Sequence, residues 1–412
     1  MTRRRLLGGG AAAVTAARAI LAQRGANDRI GVAMIGVGTR GIYLLERAQE
    51  APNAEIRVIG DLYDGNLKRA AAATRNKKAE ITKDWEKAVA SRDVDVVFVA
   101  TPDFWHAPMT IRAAELKKHV YVEKALCRTL AEAKAIRKAV KDNKVVLQLG
   151  HHQNSDPFFI KAREIFRSGR LGKVALARTS IDRTSAWPEW QFYTAYNIQQ
   201  APKEASAETI DWKRFVAGAT EIPYDVERFF RWRCWWEYGT GIAGDLMSHQ
   251  WDGVNMIAGL GIPEAVQTMG GLYFWKQDRD VPDQWHTMFE YPKKEMNVLF
   301  ACTFHNRHQG TNTYILGRDA TLEVHSDWCR VWDGEWKPGN RGKPPAPEYA
   351  MKKGEIEVTN HIRNFIDCVR SGETPRCGMD RAWEEAVAVV MSVESYFRER
   401  KVKWDPVNEQ VL

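Results

Sequence analysis

The 412-residue sequence has no apolar run approaching the roughly twenty residues that a membrane-spanning helix needs, so no part of it reads as a transmembrane segment. Its six cysteines, at 127, 234, 302, 329, 368 and 377, form no C-x-x-C pair and no zinc spacing. Free buried thiols are therefore the expected state, and cysteine says little about function. There is no internal repeat and no low-complexity tract. A formal charge of +8 suggests nucleic acid, but no dense Lys/Arg stripe occurs beyond the N-terminus, where Arg3, Arg4, Arg5 and Arg18 contribute half of it. Nucleic-acid binding is accordingly dropped. What remains is a soluble globular composition, 44% hydrophobic and 27% charged. Its length exceeds one ordinary core, and two domains are expected.

The first residues, MTRRRLLGGGAAAVTAARA, read as a targeting segment rather than structure. A basic start, a Leu/Gly/Ala stretch and Ala17-Arg18-Ala19 as an A-x-A cleavage site follow one another. Thr2-Arg3-Arg4 before Leu6-Leu7 resembles a twin-arginine export signal, which implies a periplasmic or secreted protein. The alternative is a disordered basic tail on a cytoplasmic one. Residues 1–29 are assigned to this signal and a linker.

From Ile30 strands and helices alternate. Buried-strand runs at 30–36, 54–61, 94–102, 119–124 and 145–150, with helices at 107–117 and 129–142 among the connections, predict a doubly wound parallel sheet over 30–150. After Gly150 the pattern changes. A helix at 155–166 and strands at 174–182, 265–274, 286–292, 297–306, 311–318 and 320–326 predict an α+β domain over 151–358, built on a large, open, mostly antiparallel sheet. Residues 333–356, rich in Pro, Gly and Lys, read as a surface loop. Helices at 361–372 and 381–400 close the chain and complete the fold over 359–412.

IGVGTRG places Gly36, Gly38 and Gly41 as G-x-G-x-x-G between a buried strand and a helix, with Thr39 and Arg40 inside the loop. The first glycine permits the tight turn, the second close approach of a pyrophosphate, and the third helix–strand packing. The helix N-terminus offers free N–H groups to phosphate. Asp61, twenty residues after Gly41, ends the second strand. A carboxylate there accepts from ribose hydroxyls and repels a 2′-phosphate, which favours NAD over NADP. Thr101 and Pro102 end the next long strand at the ligand edge of such a sheet. His106 either lines the cofactor pocket or caps the following helix. Glu123 and Lys124 leave the YVEK strand at the same edge, and a lysine there is a candidate catalytic cation.

GDLMSHQWD (244–252) sets Asp245, His249 and Asp252 at i, i+4 and i+7, one face of a helix. A metal clip needs three or four ligands and no further His/Cys cluster accompanies these, so no metal is expected. A hydrogen-bonded core network is a second reading, and half of an active site the third.

IGVGTRG, YVEKAL and the D-x-x-x-H of GDLMSHQWD together resemble the glucose–fructose oxidoreductase / inositol dehydrogenase (Gfo/Idh/MocA) family. TPDFWH and HIRNFIDCVRSGETP are similar too, so the resemblance runs from about residue 30 to the C-terminus. It implies a dinucleotide-binding domain, a second domain whose open sheet faces a partner subunit in a homo-oligomer (dimer or tetramer), and a sugar or polyol substrate. It maps the catalytic lysine onto Lys124 and the acid and histidine onto Asp245 and His249. One position departs from the pattern: Ala125 stands where the family usually has Pro.

The chemistry follows from the side chains. Oxidising a secondary alcohol removes the hydroxyl proton as hydride leaves the same carbon; His249 suits the base role, and Lys124 stabilises the developing alkoxide. Asp245 either fixes His249 or bonds a neighbouring sugar hydroxyl. Of sixteen tryptophans, those of RWRCWWEYG and SAWPEW could pack on sugar faces, and Arg183 and Trp236 are the substrate candidates. Export implies an NAD carried inside the folded protein and held tightly. The expected activity is oxidation or reduction of a sugar hydroxyl by hydride transfer. The alternative is a redox-neutral NAD-dependent glycosidase, for which a Y-P-T-H-G stretch associated with one such group is absent. An inert sugar-binding protein is disfavoured because Lys124, Asp245 and His249 are all present.

Overall fold

The computed structural model describes residues 29–184, 189–190, 201–325, 327–333, 346–350 and 359–412. The expected targeting segment and most of residues 333–356, expected as a surface loop, lie outside them.

Six strands form the N-terminal sheet: β1 (Ile30–Ile35), β2 (Ala54–Gly60), β3 (Glu80–Thr82), β4 (Val96–Val99), β5 (His119–Val122) and β6 (Leu147–Leu149). They pair in parallel in the order β3-β2-β1-β4-β5-β6. The chain therefore reverses direction across the sheet between β1 and β4, the place where this fold opens a crevice at its carboxyl edge. β1 and β4 are buried at every residue, as strands covered on both faces must be. β3 escaped the sequence reading because it is a three-residue edge strand with two exposed side chains and no apolar run.

The second sheet has ten strands among the described residues: β7 (Val174–Asp182), β8 (Ala265–Gly271), β9 (Gln284–Tyr291), β10 (Met296–Thr303), β11 (Thr311–Gly317), β12 (Ala320–Val324), β13 (Trp328–Asp333), β14 (Tyr349–Ala350), β15 (Val402–Asp405) and β16 (Gln410–Val411). Their order is β14-β13-β12-β11-β7-β10-β9-β8-β15-β16, with β7 and β10 parallel and the other neighbours antiparallel. One face is covered by the helices Pro157–Arg167, Ser248–Ala258 and Met379–Phe397; among the described residues no helix covers the other. β9 shows the alternation, with Trp285, Thr287, Phe289 and Tyr291 buried and His286, Met288 and Glu290 on the more exposed side.

The closing helices do not form a unit of their own. Thr359–Ser371 returns to the first domain, where Ile362, Phe365, Ile366 and Val369 join Val32, Met34, Phe98 and Tyr121 in one buried cluster. Phe365 meets Phe98 edge-on at 5.8 Å. Met379–Phe397 runs between the sheets, and its buried residues belong to a core cluster continuous through both domains. The domains thus share one packed interior, and the crevice between them is held rather than hinged.

Phe365→Ala should lower the unfolding free energy by about 3–5 kcal/mol, the usual cost of emptying a buried phenylalanine site. Urea denaturation read by far-UV circular dichroism measures it; a loss below about 1 kcal/mol would place the helix outside the first domain's core.

Candidate active site

The carboxyl edge of the first sheet and the second domain enclose a cavity of about 590 Å³. Its cofactor end is shaped by the glycine loop. Gly36 has φ +79°, and a Cβ there would lie 2.6 Å from the Ala100 carbonyl oxygen. A Cβ on Gly41 would fall 1.7 Å from the Gly36 carbonyl oxygen, so only glycine lets the helix Thr39–Ala48 start so close to β1. That helix begins after Gly38 without a side-chain cap, at the cavity wall formed by Gly38, Thr39 and Arg40.

Asp61, directly after β2, accepts from the backbone N–H groups of Val37 at 2.7 Å and Tyr63 at 2.9 Å, and from Asn66 Nδ2 at 3.1 Å. The carboxylate thus ties the glycine loop to the end of the second strand while lining the cavity. Burial pushes its pKa up against those hydrogen bonds. Residues from the second domain roof this end. Asp64 N–H donates to Thr209 O and Asp211 N–H to Leu62 O, Trp105 Nε1 donates to Phe215 O, and Arg214 and Phe229 line the wall. A dinucleotide fits this site: a glycine cradle, a helix start without a side-chain cap, a carboxylate at the end of the second strand, and the buried Nδ1 of His152, which has no partner among the described residues.

At the other end Lys124, which follows β5, donates to both the carbonyl oxygen and Oδ1 of Asp245, each at 2.8 Å. Asp245 lies in a π-helical turn, Ala243–Met247, that leads into Ser248–Ala258. Such widened turns remove carbonyls from the regular helical ladder and cluster at functional sites. Arg233 Nε donates to Oδ1 at 3.1 Å and Trp190 Nε1 to Oδ2 at 2.9 Å. Burial alone would raise the Asp245 pKa, but Lys124 and then Arg233 override it and hold the carboxyl well below the usual range. Asp245 thus accepts from three side chains and orients Lys124.

His249 lines the cavity one turn on. Burial foremost, then the charges of Lys124, His151 and His152, push its pKa well below the ordinary histidine value, with Asp245 opposing. These causes favour the uncharged ring. His151 and His152 pack edge-on against it at 5.3 and 5.8 Å. Glu123 faces the same space, paired with Arg40 Nε at 2.7 Å; burial raises its pKa, and Arg40 more than offsets that.

The structure thus brings Gly36, Gly38, Thr39, Arg40, Asp61, Thr101, Pro102, Glu123, Lys124, Asp245 and His249 to one cavity. Gly41 is one step behind, where packing requires it. Three expected residues stand elsewhere. His106, 1% exposed, neither lines the pocket nor caps the helix; its ring nitrogens lie 2.6 Å from Ala125 O and 3.0 Å from Thr101 O, tying those two loops together. Trp236 packs against Trp285, Tyr396 and Phe397, away from the cavity. Arg183 pairs with Glu189 at 3.7 Å and reaches Asp245 only through its charge. The Lys124–Ala125 peptide is cis.

Asp252, three residues after His249 on the helix Ser248–Ala258, does not line the cavity that Asp245 and His249 share. It is fully buried and bonds Arg381 and Asn154 at 2.7 and 2.6 Å, a structural network. Trp232, one of the RWRCWWEYG tryptophans, lines the cavity; His152 and Arg233 line it too and were not foreseen. The signal for His152 was present: GHH follows a buried strand at the ligand edge, as Lys124 does. RWRCWWEYG was read for its aromatic residues, whereas Arg233, stacked 4.2 Å from the Trp232 ring, carries the contact to Asp245. All six cysteines are buried, unpaired thiols.

Two family models match the chain. The "oxidoreductase family, NAD-binding Rossmann fold" of GFO/IDH/MocA covers residues 30–151, and the GFO/IDH/MocA C-terminal domain covers 214–323. Levoglucosan dehydrogenase of Pseudarthrobacter phenanthrenivorans is 32% identical over 290 residues, 67% of this chain and 64% of its own length. scyllo-Inositol 2-dehydrogenase (NAD(+)) of Bacillus subtilis is 30% identical over 146 residues, 35% of this chain and 42% of its own. The match thus spans less than two thirds of either relative. Among solved structures, levoglucosan dehydrogenase with NADH and levoglucosan superposes with a TM-score of 0.67 at 20% identity, covering 91% of this chain and 99% of that one. Aldose-aldose oxidoreductase from Caulobacter crescentus superposes with 0.66 at 19% identity over the same shares. At those identities the superpositions speak for the fold.

Asp61→Ala removes the ribose-side acceptor and one anchor of the glycine loop. NAD affinity should fall about 10- to 100-fold, the worth of hydrogen bonds to a charged group, measured by isothermal titration of protein freed of nucleotide. Unchanged affinity would remove Asp61 from the cofactor site.

Proposed function

Because this chain belongs to the Gfo/Idh/MocA oxidoreductase family, and because Lys124 and His249 converge on one cavity wall beside a dinucleotide site, we propose that it is an NAD-dependent oxidoreductase. It acts on a secondary hydroxyl of a sugar or polyol by hydride transfer and keeps its cofactor tightly bound. The observation that carries this reading is the pairing of an oriented ammonium with a neutral imidazole in the same enclosed space.

Bound NAD supplies the two-electron acceptor for the hydride. The chain supplies the rest. Two of the three N–H groups of Lys124 are spent on Asp245, which fixes the third for the substrate oxygen and its growing negative charge. Neutral His249 takes the hydroxyl proton. Asp245 holds both Lys124 and Arg233 in place. Arg40 and Glu123 neutralise one another beside the reacting centre. Support for cofactor retention comes from the roof over the glycine loop, where backbone bonds at Leu62 and Asp64 close the second domain onto the first.

We further propose that the chain is exported by its N-terminal Arg3-Arg4 segment and that the open face of the ten-stranded sheet joins copies in a homo-oligomer. N-terminal sequencing of material from culture medium or periplasm, and light scattering, test these two points.

The functional test uses protein purified without added nucleotide. Denaturation should release NAD, and in the native protein D-glucose, levoglucosan or myo-inositol should reduce it stoichiometrically, visible as reduced-nicotinamide absorbance that persists until a carbonyl acceptor is added. Steady aglycone release from an aryl glycoside with no lasting absorbance would instead support the redox-neutral glycosidase. The acid limb of kcat/KM should lie below 6.5, the ordinary histidine value, because a depressed pKa keeps His249 deprotonated as pH falls. His249→Gln should cost about 10²–10⁴ in kcat. A limb above that value, or an active His249→Gln enzyme, would contradict the assignment of the base.

A further inference from the structure

Behind His249, away from the cavity, lies a group the reaction as described does not use. Glu385 sits on the helix Met379–Phe397 among Ala382, Ala386 and Val389, with zero exposure. A carboxylate at such a position is costly unless partnered. Among the described residues its recorded partners are two. His151 Nε2 lies 3.4 Å from Oε1, and the backbone N–H of Leu126, two residues beyond Lys124, donates to Oε2 at 3.4 Å. His151 is itself fully buried, its Nδ1 has no partner, and its ring stands edge-on to His249 at 87°. One buried carboxylate therefore touches the loop that carries the lysine and the imidazole that packs against the base.

The charges around His249 show why this matters. When the ring takes the substrate proton it becomes a cation beside Lys124. The anions lining the cavity there are already engaged: Asp245 by Lys124 and Arg233, Glu123 by Arg40. His152, on the same side as His151, adds no negative charge, and Arg183 adds positive charge near Asp245. The remaining carboxylate facing this cluster is Glu385, one imidazole away. We propose that Glu385 is a positioning and counter-charge residue for His249, acting through the His151 ring between them. It holds His151 against the base and offsets the positive charge that His249 acquires as the hydroxyl proton reaches it. This rests on His249 being the base.

Glu385→Gln keeps the shape and removes the charge. A nearby carboxylate favours the protonated imidazole, so its loss makes His249 a weaker base. The expected result is a kcat about tenfold lower, KM and NAD content unchanged, and the acid limb of kcat/KM moved to lower pH. The sugar used is whichever of D-glucose, levoglucosan and myo-inositol the wild type oxidises fastest. His151→Gln, which keeps a donor for Glu385 but removes the ring, should lose a similar factor. The double variant should lose little more, since the two act as one unit. A reading independent of substrate follows the ring ¹⁵N shifts of histidine-labelled protein, with His249 identified by difference from His249→Gln; its titration midpoint should be lower in Glu385→Gln.

Wild-type kcat and midpoint in folded Glu385→Gln overturn the proposal. So does a loss that comes with NAD release and is absent from His151→Gln, which would make Glu385 merely structural. If Glu385→Gln does not fold, His151→Gln decides: reduced kcat at unchanged KM supports the proposal, and full kcat overturns it. His249→Gln separates the two ideas. Full activity there removes the base assignment itself, whereas an inactive His249→Gln beside an unaffected Glu385→Gln removes only the counter-charge role.

Discussion

The ion pair between Lys124 and Asp245 joins the two domains at the point where chemistry is proposed. Lys124 leaves the fifth strand of the first sheet; Asp245 comes from the second domain, 121 residues later. Both side chains are largely buried, 12% and 17% exposed. Lys124 meets this carboxylate only when the domains are packed, whereas Asp245 has Arg233 and Trp190 from its own domain as well. Removing one partner from a buried pair is costlier than forming it is favourable. Domain packing and assembly of the site are thus one event. Arg233 and Trp190 add further donors to the same carboxylate, one on each oxygen.

Around this pair the fold spends its special residues on fixed geometry. Glycine at 36 and 41 brings a helix start onto the first strand. Gly150 leaves room for Glu123, whose carboxyl carbon would lie 2.9 Å from a Cβ there. His106 clamps two carbonyls, one of them in the loop that follows Lys124. The π turn at Asp245 aims both a carboxylate and a carbonyl at the same ammonium. The C-terminal helices then lock the result, one against the first sheet and one through the interior shared by both domains.

Much of this was legible in the sequence because it rests on local pattern. Continuous apolar runs marked the strands β1, β2, β4, β5 and β6, the glycine spacing marked the phosphate loop, and alternation gave β7 through β12. Lys124 and Asp61 were readable because residues at strand ends of a parallel sheet face the ligand edge. The failures share a physical cause: they depend on contacts that no local period encodes. His106 looked like a ligand because it follows a strand end, yet its two neighbours in space are carbonyls. Trp236 lies beside cavity-lining residues in sequence but on the other side of the chain in space. Asp252 matched a helical spacing, yet its partners in space are Arg381 and Asn154. Arg233 and Glu385 gave no pattern, since a charged residue within an aromatic run or on an apolar helix shows its role only when its partner is known. The closing helices were seen, but nothing in their periodicity tells that one belongs to the first domain.

The most direct test of the central claim, that Lys124 and Asp245 act as one oriented unit across the domain interface, is a double-mutant cycle on kcat/KM with Lys124→Met, Asp245→Asn and the pair. Contacting residues of one network typically interact by about 0.5–3 kcal/mol. The account predicts a coupling at the upper end of that range, with the double variant little worse than Lys124→Met alone. Independent, additive losses would contradict it, because Asp245 would then act on the reaction by some route other than the lysine it holds.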